Sequence, residues 1–172
     1  MLSELRITNL GVIAEADLEL HPGFTVVTGE TGAGKTMVVS SLQLLTGQRA
    51  DSSQVRNTAD EDISEARVEG RFYVDGLPDE LAHQTSELLA GCGAETDDDE
   101  SIIALRTIRS DGRSRAHLGG RSVPAGILAE FSRPLLTIHG QHDQLRLLSS
   151  AQQREACLLY TSDAADDMQC VD

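Results

Sequence analysis

At positions 29–36 the chain carries the stretch Gly29-Glu30-Thr31-Gly32-Ala33-Gly34-Lys35-Thr36, and this stretch decides the fold. Its order of glycine, four residues, glycine, lysine and threonine is the pattern of a phosphate-binding loop. Glycines let the backbone turn so that successive N–H groups point at phosphate oxygens, and a following helix adds the positive end of its dipole. In such a loop Lys35 contacts the β- and γ-phosphates, and the Thr36 hydroxyl is a ligand of Mg²⁺. The stretch therefore predicts a nucleoside triphosphate site.

The segments on either side of this phosphate loop are those that the motif requires. Strands are predicted over Leu2–Asn9 and Val12–Leu20, the second from its alternation of apolar and polar residues. The β-branched run Phe24–Thr28 predicts a buried strand that leads directly into the loop. Met37–Thr46 has apolar residues at helical spacing, which predicts a helix with a left-handed stop at Gly47. This order of strand, loop and helix supports the phosphate-loop interpretation.

Downstream of the first helix, the patterns predict four more strands and two more helices. The strands are Ala66–Val74, Ile102–Ile108, Arg113–Leu118 and Leu135–His139, and the helices are Pro78–Leu89 and Pro124–Phe131. Residues 110–112, Ser-Asp-Gly, predict a turn that joins two of these strands into a hairpin. The acidic run Glu95–Glu100 predicts a solvated loop, because like charges at this density repel each other.

The composition excludes several classes of protein. With 28 acidic and 14 basic residues the net charge of the 172 residues is −14, so any contact with DNA must be local. Three Phe, two Tyr and no Trp are too few for a base-stacking platform. The apolar runs are too short for a membrane-spanning helix or a secretory signal. Three cysteines without paired spacing argue against a disulfide framework or a zinc site and favour a reducing cytosol.

Five arginines on and around the predicted hairpin make the one basic patch of the sequence. They are Arg106, Arg109, Arg113, Arg115 and Arg121. Alternation along a strand can place Arg113 and Arg115 on the same face. Two interpretations stay open at this point. The hairpin is either solvated and paired with the acidic loop, or it is a surface that contacts the phosphate backbone of DNA.

The order of elements narrows the class of phosphate-loop protein. The loop alone does not distinguish kinases, GTPases, motor ATPases and transport ATPases. The sequence contains no Asn-Lys-x-Asp motif for guanine binding. Two strands precede the loop strand, an antiparallel hairpin region follows, and Gln141 lies at the tip of the last predicted strand, more than a hundred residues after the loop. This order is typical of an ABC-type ATPase head, an α/β fold with a mixed sheet.

Four segments of the sequence together carry a family resemblance. They are Leu5–Ile13, Gly29–Thr36, Gly47–Asp51 and Ile138–Asp143. These segments resemble the amino-terminal lobe of the RecN-like DNA-repair ATPases, a bacterial family related to the SMC proteins. The likeness extends from residue 1 to about residue 156. The third and fourth segments are the more specific, since many families share the phosphate loop.

The resemblance implies a site and its cofactors. Residues 29–36 would bind ATP with Mg²⁺, and Gln141 would reach Mg²⁺ or the water that attacks the γ-phosphate. The alternative for Gln141 is a polar residue that caps a strand. His139 and His142 flank it and are interpreted as hydrogen-bonded or solvent-facing, because no third metal ligand lies nearby in the sequence.

The resemblance also implies partners. They are a carboxy-terminal lobe of the same protein joined through a coiled coil, a second copy in a head-to-head dimer, and DNA, without a membrane. The place would be the bacterial cytoplasm, at the nucleoid after DNA damage. The sequence contains no apolar strand that ends in Asp-Glu and no Ser-Gly-Gly signature. We therefore expect a fragment that binds ATP with almost no turnover by itself.

The chain is predicted to divide at about residue 156. Residues 1–156 would be the incomplete lobe, with the start of a coiled-coil helix near its end. Residues 157–172 are similar to the translation of a transposase adaptor from sequencing libraries. Without their four acidic residues the net charge changes from −14 to −10, and Cys92 is the one cysteine left.

Two other functions are weighed against this one. A self-sufficient small P-loop kinase or NTPase would need a metal-holding Asp at the end of an apolar strand, and Asp143 is the nearest candidate. A DNA-binding module with an incidental phosphate loop is disfavoured by the acidic balance.

Overall fold

The elements are given by a computed structural model that describes residues 1–30, 32, 34–57 and 63–138. Within these residues the strands are β1 (Leu2–Leu10), β2 (Ile13–Glu19), β3 (Glu65–Tyr73), β4 (Ser101–Arg109), β5 (Ser114–Leu118) and β6 (Arg121–Val123). The helices are α1 (Lys35–Leu45), α2 (Asp79–Cys92) and α3 (Ala125–Ser132), with a 3₁₀ turn at Ser52–Gln54. In the part of the chain that the structure describes, no helix is long and apolar enough to cross a membrane.

The six strands form one antiparallel sheet in the order β2-β1-β3-β4-β5-β6. Because side chains alternate along a strand, the sheet has two different faces. Leu5, Val68 and Ile108 lie on the core face and are each 1% exposed. Arg6 and Arg115 lie on the opposite face, called the outer face below. One face is therefore apolar and covered, and the other is charged.

The helices pack on the core face. α1 contacts β1, β3 and β4, while α3 contacts β5 and also α1. Phe72 of β3 and Phe131 of α3 meet edge to face, with ring centroids 5.4 Å apart and an interplanar angle of 80°. Both rings are fully buried, and burial of such a side chain contributes about 1.5–3 kcal/mol. This two-layer arrangement places the start of α1, and with it the phosphate loop, at one end of the core.

The helices and the first five strands confirm the sequence predictions within a few residues. α1 ends at Leu45, and Gly47, two residues later, has a φ of 79° and is the predicted left-handed stop. α2 follows Pro78 and has Asp79 and Glu80 in its first turn, where acids favour the helix dipole. The hairpin of β4 and β5 turns at Gly112 with a φ of 86°.

The prediction of a buried strand over Phe24–Thr28 is wrong. Residues 21–30 have no regular structure, and the side chains of Phe24 and Val26 are 81% and 62% exposed. A strand needs a neighbour that accepts and donates its backbone hydrogen bonds. The edges of the sheet are β2 and β6, and neither pairs with this segment. High β-propensity alone does not supply such a partner.

Two other differences concern the end of the described chain. Leu135–Ile138, the described part of the last predicted strand, has no strand structure, and His139 lies outside the described residues. β6 was not predicted, because two left-handed glycines, Gly119 and Gly120, give a tight reversal that pairs only three residues with β5. As a result the sheet, predicted as mixed, is antiparallel throughout the described residues.

The acidic run Glu95–Glu100 is a loop, as predicted, but it does not pair with the hairpin. Its carboxylates approach Arg71 of β3 instead, with N–O distances of 3.6 Å to Asp97 and 3.4 Å to Asp99. Asp99 also accepts hydrogen bonds from the Ser101 hydroxyl at 2.6 Å and from the Ser101 N–H at 3.1 Å. The reason is register, since Arg71 pairs with Ile103 and so lies beside the start of β4. The interpretation of a hairpin neutralised by this loop is therefore wrong.

Candidate phosphate-binding site

The phosphate loop ends in a glycine that starts α1. Gly34 is the N-cap of the helix, with φ 94° and ψ 0°, and its carbonyl accepts the N–H groups of Met37 at 2.9 Å and Val38 at 3.1 Å. Gly32 has a φ of 87°, in the region that side chains rarely adopt. Thr31 and Ala33 lie outside the described residues. The glycine positions of the motif thus have the backbone conformations for which glycine is needed.

Lys35 lies in the first turn of α1 and its side chain returns to the loop. Its Nζ atom donates to the carbonyl oxygens of Gly29 and Glu30, both at 2.6 Å. Within the described residues no carboxylate lies within 4.0 Å of this ammonium group. Thr36 follows on the exposed side of the same turn. A cation held by neutral carbonyl groups beside the N-terminus of a helix is an arrangement that suits an anion.

The turn between β1 and β2 packs against the loop and the start of α1. A Cβ atom at Gly11 would lie 2.4 Å from Sδ of Met37, and one at Gly34 would lie 3.2 Å from Cγ1 of Ile13. Beside this contact runs a groove of about 440 Å³, whose lining includes Val12, Ile13, Val27, Thr28, Lys35 and Val38. Both glycines also have positive φ values, 55° for Gly11 and 94° for Gly34, so backbone conformation favours glycine at the two contacts and the side chains of Met37 and Ile13 fill the space beside them.

Residues 51–56 hold that turn in place. The Gly11 N–H donates to the Gln54 carbonyl at 2.7 Å, and the Arg56 guanidinium donates to the Val12 carbonyl at 2.9 Å. Asp51 accepts the Ser53 N–H at 2.9 Å and so begins the 3₁₀ turn. The Ser53 N–H, and after it the Ser53 side chain, lower the pKa of the Asp51 carboxyl by hydrogen bonding. The segment Gly47–Asp51, one of the two more family-specific segments of the sequence, therefore leads directly into the residues that bond the β1–β2 turn beside the phosphate loop.

The second group of predicted site residues is not placed by the structure. Gln141, His139, His142 and Asp143 all lie outside the described residues. The role of Gln141 stays a prediction. The supporting contacts of Arg56 and Gln54 were missed, because no local pattern reveals a hydrogen bond between segments more than forty residues apart.

The predicted basic patch is smaller than the sequence indicates. Arg106 lies on the core face and is 5% exposed, and burial lowers its pKa. Arg121 donates to the Gly93 carbonyl at 2.9 Å. Arg109 and Arg113 are exposed, with the Asp111 carboxylate 4.0 Å and 3.8 Å away, and Arg115 is exposed. Four of the five arginines thus stay at the surface, three of them near the tip of the hairpin and Arg121 beside it.

The chain is similar to known proteins along most of its length. The family model described as an AAA domain matches residues 4–115. The DNA repair protein RecN of Mycobacterium tuberculosis strain H37Rv is 54% identical over 156 residues, which are 91% of this chain and 26% of that protein. RecN of Streptomyces coelicolor is 53% identical over 160 residues, 93% of this chain and 26% of that protein. The chain thus spans about a quarter of the length of these curated relatives.

The fold has solved counterparts. A chain from a structural study of ATP-driven dimerization and DNA-stimulated activation of SMC ATPases superposes with a TM-score of 0.61 at 16% identity. The match covers 89% of this chain and 95% of that one. At this identity the likeness shows the fold, an ABC-type ATPase head.

Proposed function

Because the chain belongs to the AAA domain family and its curated relatives are RecN sequences, we propose that it is the ATP-binding part of a DNA-repair ATPase. The observation that carries the proposal is the phosphate loop. Its glycines have the required conformations, and the single lysine of the sequence lies inside it, next to the N-terminus of α1. All eight residues 29–36 are assigned to ATP binding, including Thr31 and Ala33.

Each part of the site has a defined task in this proposal. Lys35 exchanges its two carbonyl contacts for phosphate oxygens, and the N–H groups at the start of α1 bind the same anion. The exposed Thr36 hydroxyl and the Gln141 side chain would hold Mg²⁺, which prefers oxygen ligands. When bound, that ion neutralises charge on the β- and γ-phosphates. Gln141 would also orient the attacking water.

Hydrolysis is proposed to need further parts of the protein. The relatives are about four times longer than the matched segment, so most of such a protein lies outside it. Three exposed apolar residues, Phe24, Val26 and Val27, precede the phosphate loop. We assign these side chains to a contact with the carboxy-terminal lobe, which would cover them and complete the sheet. A head-to-head homodimer would then close the ATP site, and DNA would be bound by the assembled protein. Its place would be the bacterial cytoplasm and the nucleoid.

The proposed lobe comprises residues 1–156, with residues 157–172 outside it. The alternative of a self-sufficient kinase or NTPase is not favoured, since the relatives are RecN proteins. The exposed hairpin arginines support a local contact with DNA, because a small basic patch on an otherwise acidic protein can bind phosphate groups.

The test is ATP binding by the chain of residues 1–172 and by its Lys35→Ala variant. We expect the variant to bind a fluorescent ATP analogue about 10- to 150-fold more weakly, because a charge-assisted contact contributes about 1.5–3 kcal/mol. Arg6→Ala is the matched control, since it removes an exposed cation that lies on the outer face of the sheet. Phosphate release is measured on the same samples.

Two results would contradict the proposal. Equal affinity of Lys35→Ala and the unmodified chain would reject the phosphate-loop assignment. Rapid phosphate release by the unmodified chain alone would favour the self-sufficient NTPase, because the proposal predicts turnover only after the carboxy-terminal lobe is added.

A further inference from the structure

Arg106 is a charged side chain within the core face of the sheet. It lies in the middle of β4, where it pairs with Val68 of β3 on one side and with Ala116 of β5 on the other. Both neighbours are apolar and buried, and Arg106 itself is 5% exposed. A guanidinium group keeps its proton in proteins. The residue therefore carries a full positive charge into an apolar layer.

This charge has little compensation within the described residues. One amino group of Arg106 donates to the Ser114 hydroxyl at 3.1 Å. The ε N–H has no hydrogen-bond acceptor in that part of the chain, and no carboxylate oxygen there lies within 4.0 Å of the guanidinium group. Burial of a charge is unfavourable unless it is paired and hydrogen-bonded. Arg106 thus has unused capacity to bind an anion.

The register shows where an anion can reach this charge. Ser114 pairs with Ile108, which is buried, so both side chains lie on the core face. Ser114 is nevertheless exposed. The layer that covers the core face therefore stops short of the start of β5. The amino group of Arg106 that contacts Ser114 lies at this margin, where a side chain from outside can approach it.

A carboxylate of a protein fits this position better than a phosphate of DNA. A carboxylate is planar, matches the fork of a guanidinium group and stands at the end of a narrow side chain. Phosphates of a duplex are bound by side chains that project from the protein surface. The exposed Arg109, Arg113 and Arg115 project in this way, whereas Arg106 does not.

From these observations we propose that Arg106 is one half of a buried ion pair, and that the other half is an Asp or Glu side chain of the carboxy-terminal lobe. The inference rests on the proposed function, because that lobe is part of it. The relatives are about four times longer than the matched segment, so most of such a protein is available to supply the acid. The charge of Arg106 then destabilises the chain of residues 1–172 by itself and stabilises the full-length protein.

Arg106→Met tests this difference in sign. Met is unbranched and apolar, so it removes the charge and still fills most of the space. Amide hydrogen exchange of peptides from β4 and β5, measured without DNA, reports the local stability. In the chain of residues 1–172 we expect protection to rise about fivefold or more. In the full-length protein we expect it to fall about tenfold or more, because the acid loses its partner.

Two further variants serve as controls. Arg115→Met removes an exposed arginine from the outer face of the same hairpin, and should change protection in β4 and β5 less than about twofold in either chain. Arg106→Lys keeps the charge without the planar fork. Its loss of protection in the full-length protein should therefore be smaller than that of Arg106→Met.

Three results would overturn the inference. The first is that Arg106→Met does not lower protection in the full-length protein, which would mean that no acid pairs with it there. The second is that the same variant lowers protection in the chain of residues 1–172 or prevents its folding, which would make Arg106 structural within this chain. The third is a loss that appears only after DNA is added, which would identify the anion as a phosphate.

The same samples keep this inference separate from the proposed function. Exchange at residues 24–28, compared between the two chains, reports whether the carboxy-terminal lobe covers that segment. ATP binding by Lys35→Ala reports on the phosphate loop. Neither readout depends on the charge of Arg106, so failure of the proposed function and failure of this ion pair give different results.

Discussion

At Gly47 both the backbone conformation and the packing require the absence of a side chain. Its φ of 79° and its contact with Ala129 both exclude a side chain. We expect Gly47→Ala to lower the free energy of unfolding by about 2–4 kcal/mol, from left-handed strain and overpacking together. Gly76→Ala is the control, since Gly76 has a φ of 66° but an added Cβ atom there would have no neighbour within 4 Å. This control should cost about 1 kcal/mol.

Urea denaturation of both variants measures this difference. Equal losses of stability at the two glycines would show that backbone strain alone determines the effect and that α1 and α3 are not in close contact. A larger loss at Gly47 would show that the end of α1 packs directly against α3.

At the scale of elements, the loop of residues 95–100 is tied to the sheet by charge and hydrogen bonds. The Ser101 side chain is the main cause that lowers the pKa of the Asp99 carboxyl below its ordinary value of 3.8, and its N–H and Arg71 act in the same direction. A lowered pKa in the folded chain means that this contact stabilises the fold above pH 3.8. The contribution is lost as the pH falls below that value through the pKa of the folded state.

Carboxyl titration by NMR tests the assignment. In Ser101→Ala the pKa of Asp99 should rise toward 3.8, because the hydroxyl donor at 2.6 Å is gone. The pKa of Asp51 is lowered by Ser53 in another part of the chain and should stay unchanged. An unaltered Asp99 midpoint in the variant would assign the shift to other groups.

The elements also show what the sequence can predict. α1, α2 and the β4–β5 hairpin depend on local signals, namely helical spacing, capping glycines and a turn, and these were found from the sequence. The segment Phe24–Thr28 has equally strong local signals, but its state depends on a neighbour in the sheet. The prediction that Arg106 belongs to an exposed basic patch was wrong for a similar reason. Alternation along a strand shows which side chains share a face, but only the register shows which face is buried. In the site, Lys35 was predictable from its motif, whereas the hydrogen bond from Arg56 to the Val12 carbonyl was not, since the two residues are 44 positions apart.

At the scale of the whole molecule, charge is unevenly distributed over the outer face of the sheet. The edge strand β2 carries Glu15, Asp17 and Glu19, while the hairpin end carries exposed arginines. An acidic protein with one basic region binds DNA through that region only. We expect Arg113→Glu and Arg115→Glu each to reduce the slope of log affinity against log salt by about one in the full-length protein.

Arg6→Glu provides the comparison for this prediction. It makes the same change of charge on the same face, but beside Asp17 on the acidic half. Its slope should match that of the unmodified protein. If all three variants lower the slope equally, the effect comes from net charge, and the hairpin has no contact with phosphates.

The exposed run Phe24-Thr25-Val26-Val27-Thr28 bears on how the chain behaves in a test tube. It is uncharged and β-branched, so two copies that meet there can begin an intermolecular sheet. The net charge of −14 keeps copies apart, but added electrolyte shortens the reach of that repulsion to about 10 Å at 0.1 M. Shelf life of a purified sample should therefore be set by ionic strength and concentration, with dilute, low-salt storage delaying precipitation.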